Sequence, residues 1–109
     1  MHRLCTLADI PDHDARGFRT PEGDIVVARQ GMEVFAYRNR CPHIGICLNF
    51  QPDVFMDLTG RHLLCSNHGA LFRVKDGYCL RGPCSGQSLQ KVEVVIENGV
   101  IRMPPSGEK

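Results

Sequence analysis

The stretch that decides the fold is Cys65-Ser66-Asn67-His68-Gly69, and its counterpart earlier in the chain is Cys41-Pro42-His43-Ile44-Gly45. Each stretch places one thiol and one imidazole a few residues apart, so together they offer four metal ligands of mixed sulfur and nitrogen type. Both contain proline, asparagine or glycine, which are typical of loops. Because two loops can close over a metal from opposite sides, the sequence predicts a metal site with four ligands.

The order of the donors favours one kind of metal centre over another. Two Cys and two His suit zinc, but the usual zinc order places Cys beside Cys and His beside His, whereas here each stretch is mixed. In a Rieske [2Fe-2S] cluster two Cys hold one iron and two His hold the other, so each loop must supply one ligand to each iron. The mixed order therefore favours a Rieske centre, with a zinc-stabilised interaction module as the weaker alternative.

On these residues the chain resembles the Rieske-type ferredoxins and Rieske domains, over most of its length. Gly82-Pro83 falls where this family has a proline-bearing loop over the cluster. The resemblance implies a [2Fe-2S] cluster as the cofactor. The implied metal ligands are Cys41, His43, Cys65 and His68, and the further cofactor-binding positions are Gly45, Gly69 and Pro83. One departure is the gap of 21 residues between His43 and Cys65, which is slightly long and indicates an enlarged hairpin.

The resemblance also bears on the redox potential and on docking. High-potential members of the family have a Ser and a Tyr hydroxyl just after the second loop, where this chain has Ala70 and Phe72. Since neither side chain can donate a hydrogen bond to the cluster, we expect a midpoint potential near the low end of the range, roughly −150 mV. Four apolar residues are expected around the edge where an electron leaves: Ile44, Ile46, Leu48 and Pro83. They either form a small patch for transient docking or cover the cluster and exclude water.

Length and composition predict one small domain. The chain has 109 residues, 13 Lys plus Arg and 12 Asp plus Glu, so its charges nearly cancel. The near balance of charge, with no Trp and seven Phe plus Tyr, argues against a nucleic-acid surface. The sequence offers neither a run of about 18 apolar residues nor a signal peptide, which favours a soluble cytoplasmic protein without membrane contact.

Six cysteines raise the question of disulfides. A reducing cytoplasm disfavours them, and Cys47 near the first stretch has no counterpart in the second. Cys79 and Cys84 bracket a turn; we expect them to stay reduced, although the sequence leaves their pairing open. Cys5 is interpreted as a small buried apolar residue.

The rest of the sequence predicts an all-β fold: a Rieske-like antiparallel β-sandwich or barrel base with an inserted small cluster-binding lobe. Turn signals separate pairs of apolar runs. The predicted strands are 25–29 and 34–37, 54–56 and 62–64, 71–74 and 78–80, and 92–96 and 100–102. Residues 12–17 are predicted to form a solvated loop. The base is assigned to 1–40 and 85–103, the lobe to 41–84 and a frayed tail to 104–109.

These predictions favour a one-electron carrier that is not itself an enzyme. Its partners are expected to be a flavin-dependent reductase and a terminal oxygenase or similar acceptor. The alternative within the same fold is a small subunit of a larger redox enzyme, such as assimilatory nitrite reductase. The remaining histidines (His2, His13 and His62) do not suggest the mononuclear iron site that a complete Rieske oxygenase needs.

Overall fold

Antiparallel strands in three sheets form the fold in the computed structural model, which describes residues 2–21, 23–40, 48, 55–65, 69–82 and 86–103. The strands are β1 (His2–Thr6), β2 (Asp14–Thr20), β3 (Gly23–Gln30), β4 (Glu33–Arg38), β5 (His62–Cys65), β6 (Ala70–Arg73), β7 (Cys79–Arg81), β8 (Lys91–Val92), β9 (Val95–Glu97) and β10 (Val100–Met103). Leu7–Asp9 forms one turn of 3-10 helix. The predicted all-β class is confirmed. Within the described ranges, no helix has the length and apolar character needed to cross a membrane.

The sheet β2-β3-β4-β8 lies at the centre of the core, because each of its faces covers a different buried cluster. Successive side chains of a strand point to opposite faces. Along β3, Val26 and Ala28 therefore belong to the cluster that includes the third sheet, while Ile25 and Val27 belong to the cluster with β1 and β10. All four are essentially without solvent exposure. This alternation between two cores explains why β3 is apolar throughout its middle.

The sheet β1-β10-β9 covers one side of the central sheet. Its β9–β10 hairpin turns at Asn98 and Gly99, which have φ of 52° and 76°, as the Asn-Gly signal predicts. The predicted strand 92–96 is wrong as a single strand. Its start pairs with β4 through Val92 and Ala36, whereas β9 pairs with β10, so the chain changes sheets near Glu93.

The third sheet, β5-β6-β7, covers the other side and carries the end of the second stretch. The Tyr37 hydroxyl of β4 donates a 2.6 Å hydrogen bond to the carbonyl of Val74, directly after β6. Gly77 turns the chain at φ 74°, and a Cβ there would lie 2.8 Å from Cε1 of Tyr37. The central and third sheets are thus held together by a buried aromatic ring that requires glycine beside it.

The prediction that residues 12–17 form a solvated loop holds for the exposed turn at Asp12 and His13 but is wrong from Asp14 onward, because β2 begins there. This strand pairs with β3 along its entire length, and Ala15 is fully buried. Gly17 fits because Phe55 occupies the space of a side chain, with its Cζ 2.9 Å from the position of a Cβ. The charged side chains of β2 concealed this short apolar face from a search for alternating hydrophobicity.

The other predicted strands have clear outcomes. The pairs 25–29 with 34–37 and 71–74 with 78–80 are confirmed as β3–β4 and β6–β7, with strand ends that agree to within two residues. The prediction for 62–64 is confirmed as β5, but of 54–56 only Met56 forms an isolated bridge, to Leu63, and residue 54 lies outside the described part. The division into base and lobe stays a prediction, and the tail 104–109 also lies outside the described residues.

Candidate metal centre

Cys65 is the candidate ligand that the structure describes most fully. It ends β5, stands opposite Ala70 at the start of β6, and is 1% exposed. The Gly69 amide donates a 2.9 Å hydrogen bond to the carbonyl of Cys65, and Gly69 has φ 70°, a conformation that favours glycine. The two ends of the β5–β6 connection are therefore a buried thiol and a glycine joined by a backbone hydrogen bond.

The loop that begins at Gly82 and contains Pro83 is the third loop of the proposed site. Its start lies directly against Ala70, the residue that follows the second loop (65–69). Gly82 has φ 110°, and a Cβ there would lie 2.8 Å from Cα and 2.9 Å from Cβ of Ala70. Only glycine permits this approach of two backbones. Pro83, the next residue, lies outside the described residues, but the backbone that leads to it is fixed beside the residue that follows Gly69.

The first loop is held at both of its ends. The Asn39 side-chain oxygen accepts a 2.8 Å hydrogen bond from the Leu48 amide, and the Asn39 amide donates to the Asp24 carbonyl at 3.0 Å. Leu48 is completely buried in the same cluster as Cys65 and Ala70. Of the two interpretations for Leu48, the docking patch is therefore wrong, because its side chain is buried and anchors the loop in the core.

The structure brings together the ends of the three loops that carry the predicted site. Cys65 and Gly69 lie within the described residues. Outside them lie Cys41, His43, Gly45, His68 and Pro83. The anchoring roles of Asn39, Leu48 and Gly82 were not predicted, although Gly82 was noticed beside Pro83. The Asn39 role has only a weak sequence signal, since an asparagine before a loop is common.

Two residues that follow the second loop, Ala70 and Phe72, have no side-chain hydrogen-bond donor. Ala70 and Phe72 are 1% and 0% exposed, so both belong to the buried cluster. In the described part of the chain, no group of three or more Cys, His, Asp or Glu side chains could hold a second metal ion.

Asp57 and Cys5 are titratable groups outside the candidate ligand set, and their surroundings shift their pKa values. His62 Nδ1 lies 3.0 Å from Asp57 Oδ2 in the turn before β5. Partial burial favours a higher pKa for Asp57, but hydrogen bonds from Thr59, His62 and the Arg61 amide outweigh it and lower that pKa to about 2. Burial raises the pKa of the Cys5 thiol, so Cys5 stays protonated at neutral pH.

The fold and the donor order indicate the class of domain: a small all-β domain with two candidate ligand stretches that each contain one Cys and one His. A family model described as the Rieske [2Fe-2S] domain matches residues 1–98. The chain therefore belongs to the Rieske [2Fe-2S] domain family. The predicted [2Fe-2S] cofactor is confirmed at the level of the family, which decides against the zinc alternative. Two thiol and two imidazole donors, with Cys65 buried at a loop, fit such a cluster.

Solved structures agree with the fold. The ferredoxin of carbazole 1,9a-dioxygenase from Nocardioides aromaticivorans IC177 has a TM-score of 0.76 and 21% identity, over 96% of this chain and 99% of that chain. A ferredoxin of Sphingomonas yanoikuyae B1 has a TM-score of 0.73 and 25% identity, over 93% and 94%. The terminal oxygenase of the Nocardioides system has a TM-score of 0.76 and 17% identity, over 94% of this chain and 29% of that chain. The comparison with curated proteins finds no match.

Proposed function

We propose that this protein is a one-electron carrier that accepts electrons from a flavin-dependent reductase and passes them to a terminal oxygenase or a similar acceptor. The observation that supports this most is the extent of the structural likeness. It covers 99% of the dioxygenase ferredoxin but only 29% of the oxygenase that belongs to the same kind of system. The 109 residues thus correspond to a whole ferredoxin component and to a domain-sized part of an oxygenase.

Four residues are proposed as the metal ligands. The thiolates of Cys41 and Cys65 hold one iron, and the imidazoles of His43 and His68 hold the other. In support, Cys65 is buried at a loop whose neighbouring loops are anchored beside it. When bound, the cluster supplies reversible one-electron chemistry at a potential above that of an all-Cys centre.

The remaining loop residues are proposed to shape the site. Gly45 and Gly69 allow their loops to turn closely around the metal centre, and Pro83 stiffens the third loop. The close approach of Gly82 to Ala70 supports this role for the third loop. Burial of the Cys65 side chain keeps water away from one of the proposed sulfur ligands.

The protein is proposed to transfer electrons without catalysing a reaction of its own. The alternative, a small subunit of a larger redox enzyme such as assimilatory nitrite reductase, uses the same ligands but binds a large catalytic chain permanently. A cytoplasmic location belongs to the same proposal, and cell fractionation tests it.

The first experiment tests the cofactor and its ligands. The purified protein is analysed for iron and acid-labile sulfide, and its reduced form is studied by low-temperature EPR. We expect two irons and two sulfides per chain. Cys65→Ser and His68→Ala should lose the cluster, whereas Cys5→Ser and His13→Asn should retain it. His13 has φ 60°, which asparagine tolerates. Full cluster content in Cys65→Ser refutes the ligand assignment.

The second experiment separates a carrier from a subunit. The purified protein is mixed with NADH, a flavin-containing ferredoxin reductase and cytochrome c as the final acceptor. A carrier should make the rate of cytochrome c reduction rise with its own concentration, and the Cys65→Ser variant should not. A cluster-loaded protein that passes no electrons, and that copurifies from its native cells with a large catalytic chain, would instead support the subunit.

A further inference from the structure

Two arginines flank the loops of the proposed site. Arg40 directly precedes the first ligand stretch, and Arg81 is the last residue of β7, next to Gly82. Both side chains are exposed to solvent. Since Gly82 lies against Ala70 and the Asn39 side chain holds the end of the first loop, these two arginines belong to the end of the molecule that carries the loops.

The two arginines differ from Arg16 and Arg73 in their surroundings. Arg16 lies 3.0 Å from a carboxylate oxygen of Asp14, and Arg73 lies 2.8 Å from one of Asp76. Within the described ranges, neither Arg40 nor Arg81 forms an ion pair. Their charges are therefore not offset by a direct carboxylate contact from the part of the chain that the structure describes.

The distribution of charge along the sequence also favours a positive surface near the loops. Residues 38–84 contain six Lys or Arg and three Asp or Glu, whereas residues 1–37 contain four Lys or Arg and six Asp or Glu. Two of the three acidic residues in 38–84 already have partners, because Asp57 contacts His62 and Asp76 contacts Arg73. In the central sheet, the acidic Asp24 of β3 is the register partner of the basic Arg19 of β2, so these two opposite charges lie beside each other. The segment 38–84 thus has a surplus of basic residues although the whole chain is nearly neutral. Arg40 and Arg81 place part of that surplus at the loop end, whereas Arg61 and Arg73 lie at the opposite end of the third sheet.

We propose that Arg40 and Arg81 form a docking surface for a redox protein whose own contact face is rich in Asp and Glu carboxylates. This inference rests on the proposed function, because it concerns the partner that exchanges electrons at the loops. Opposite charges at a contact face raise the association rate and select the partner, while adding little to the lifetime of the complex. Fast association with short lifetime is what repeated single-electron transfer requires.

The test uses small redox reagents of known charge in place of the partner. The cluster-loaded protein is reduced, and its oxidation is followed by stopped-flow absorbance. Each reduced protein gives one electron either to the trianion hexacyanoferrate(III), which becomes hexacyanoferrate(II), or to the trication tris(phenanthroline)cobalt(III), which becomes the cobalt(II) complex. A positive loop end predicts that the rate with the anion falls as ionic strength rises, while the rate with the cation rises.

Arg61 supplies a matched control for charge reversal. It is exposed and precedes β5 at the opposite end from Cys65, about 13 Å away along an extended strand, beyond the screening length at physiological salt. At low ionic strength, Arg81→Glu and Arg40→Glu should each slow oxidation by the anion about fivefold. Arg61→Glu should change it less than about twofold. EPR must show an unchanged cluster in each variant.

The outcomes separate the inference from the proposed function. Equal effects at Arg81 and Arg61, or a rate with the anion that does not depend on salt, overturn the docking surface while leaving the electron carrier intact. A purified protein that contains no iron and sulfide overturns the proposed function itself, and with it the partner.

Discussion

At the scale of single residues, the Tyr37 hydroxyl links the central sheet to the third sheet. It donates to the Val74 carbonyl inside the core, and burial raises the pKa of Tyr37 to about 12. Tyr37→Phe removes the donor from a buried acceptor, so we expect the free energy of unfolding to fall by about 1–3 kcal/mol. Thermal unfolding at equal cluster content measures the loss.

Tyr78→Phe is the matched control for this substitution. The Tyr78 ring is half exposed and lies 5.6 Å from the Arg73 guanidinium, a contact that phenylalanine keeps. Its unfolding free energy should change by less than about 0.5 kcal/mol. If both variants lost the same free energy of unfolding, the hydrogen bond from the Tyr37 hydroxyl would contribute no more to stability than an exposed tyrosine hydroxyl does.

Ala70 and Phe72 determine what midpoint potential we expect for the cluster. Both are buried immediately after the second loop, and neither has a donor that could stabilise the reduced, more negative cluster. We therefore expect a midpoint potential near −150 mV, the low end of the range for this cluster type. Ala70→Ser, which introduces a hydroxyl, should raise the midpoint in an EPR-monitored titration. A wild-type value above about +100 mV contradicts the argument.

At the scale of structural elements, the turn glycines and asparagines predicted most of the hairpins. Gly77 and the Asn98-Gly99 pair allow positive φ, and β6, β7 and β10 beside them form as expected. Strand β2 could not be found in this way, because only Ala15 on it is fully buried and its pairing partner supplies the apolar surface. The change of sheet after Val92 also has no local signal, because it depends on two different neighbouring strands.

The candidate site shows the same limit. The candidate ligands could be predicted from two short stretches, since the chemistry of a cluster restricts its donors to a few residue types. The supports around them were not, because the burial of Leu48 and the approach of Gly82 to Ala70 are contacts between segments far apart in sequence. Contacts of this kind cannot be predicted from the sequence alone, because they depend on how the strands are arranged in three dimensions.

The third loop gives a prediction about cluster retention. Gly82→Ala introduces a Cβ that meets the Ala70 backbone and also strains a φ of 110°, so the third loop must move away from the second. We expect faster loss of the visible absorbance of the cluster on warming. Gly99→Ala is the control, because its φ of 76° is also unfavourable for alanine but nothing lies within 4 Å of the new Cβ. Equal rates of loss would exclude a role for the contact with Ala70.

The turn before β5 predicts how stability depends on pH. Asp57 accepts hydrogen bonds from Thr59 and His62, and its pKa of about 2 lies below the ordinary 3.8. The ionised carboxylate therefore stabilises the fold fully above about pH 4, and this contribution is lost as the pH falls toward 2. Asp57→Asn should flatten the dependence of the unfolding midpoint between about pH 4 and pH 2.

Asp76 titrates in the same range, which makes the comparison between variants necessary. Hydrogen bonds from Arg73 and the Tyr78 amide lower the pKa of Asp76 to about 2, but this carboxylate is half exposed. Part of the acid sensitivity should therefore remain in Asp57→Asn. An unchanged pH profile in that variant would assign the whole effect to other carboxylates.

At the scale of the whole molecule, the two buried clusters divide the protein unequally. Among the residues that the structure describes, the cluster around Ile25 and Ile101 draws none from 41–84, the segment that carries the proposed ligands. The other cluster joins Val26 and Tyr37 of the central sheet to Leu63 and Phe72 of the third sheet. The proposed division into a base and an inserted lobe follows this asymmetry.

Removal of the cluster provides the test of that division. Without the cluster, the third sheet remains buried on one side, but the loops of segment 41–84 are no longer joined through the proposed ligands. Metal binding contributes directly to folding in small domains. Hydrogen exchange monitored by mass spectrometry should show faster exchange in β5 to β7 of the apo-protein, while β3 and β10 stay protected. Uniformly faster exchange in all three sheets would mean that the protein unfolds as one cooperative unit. In that case the ligand-bearing segment would be an integral part of a single core, and the base could not fold without it.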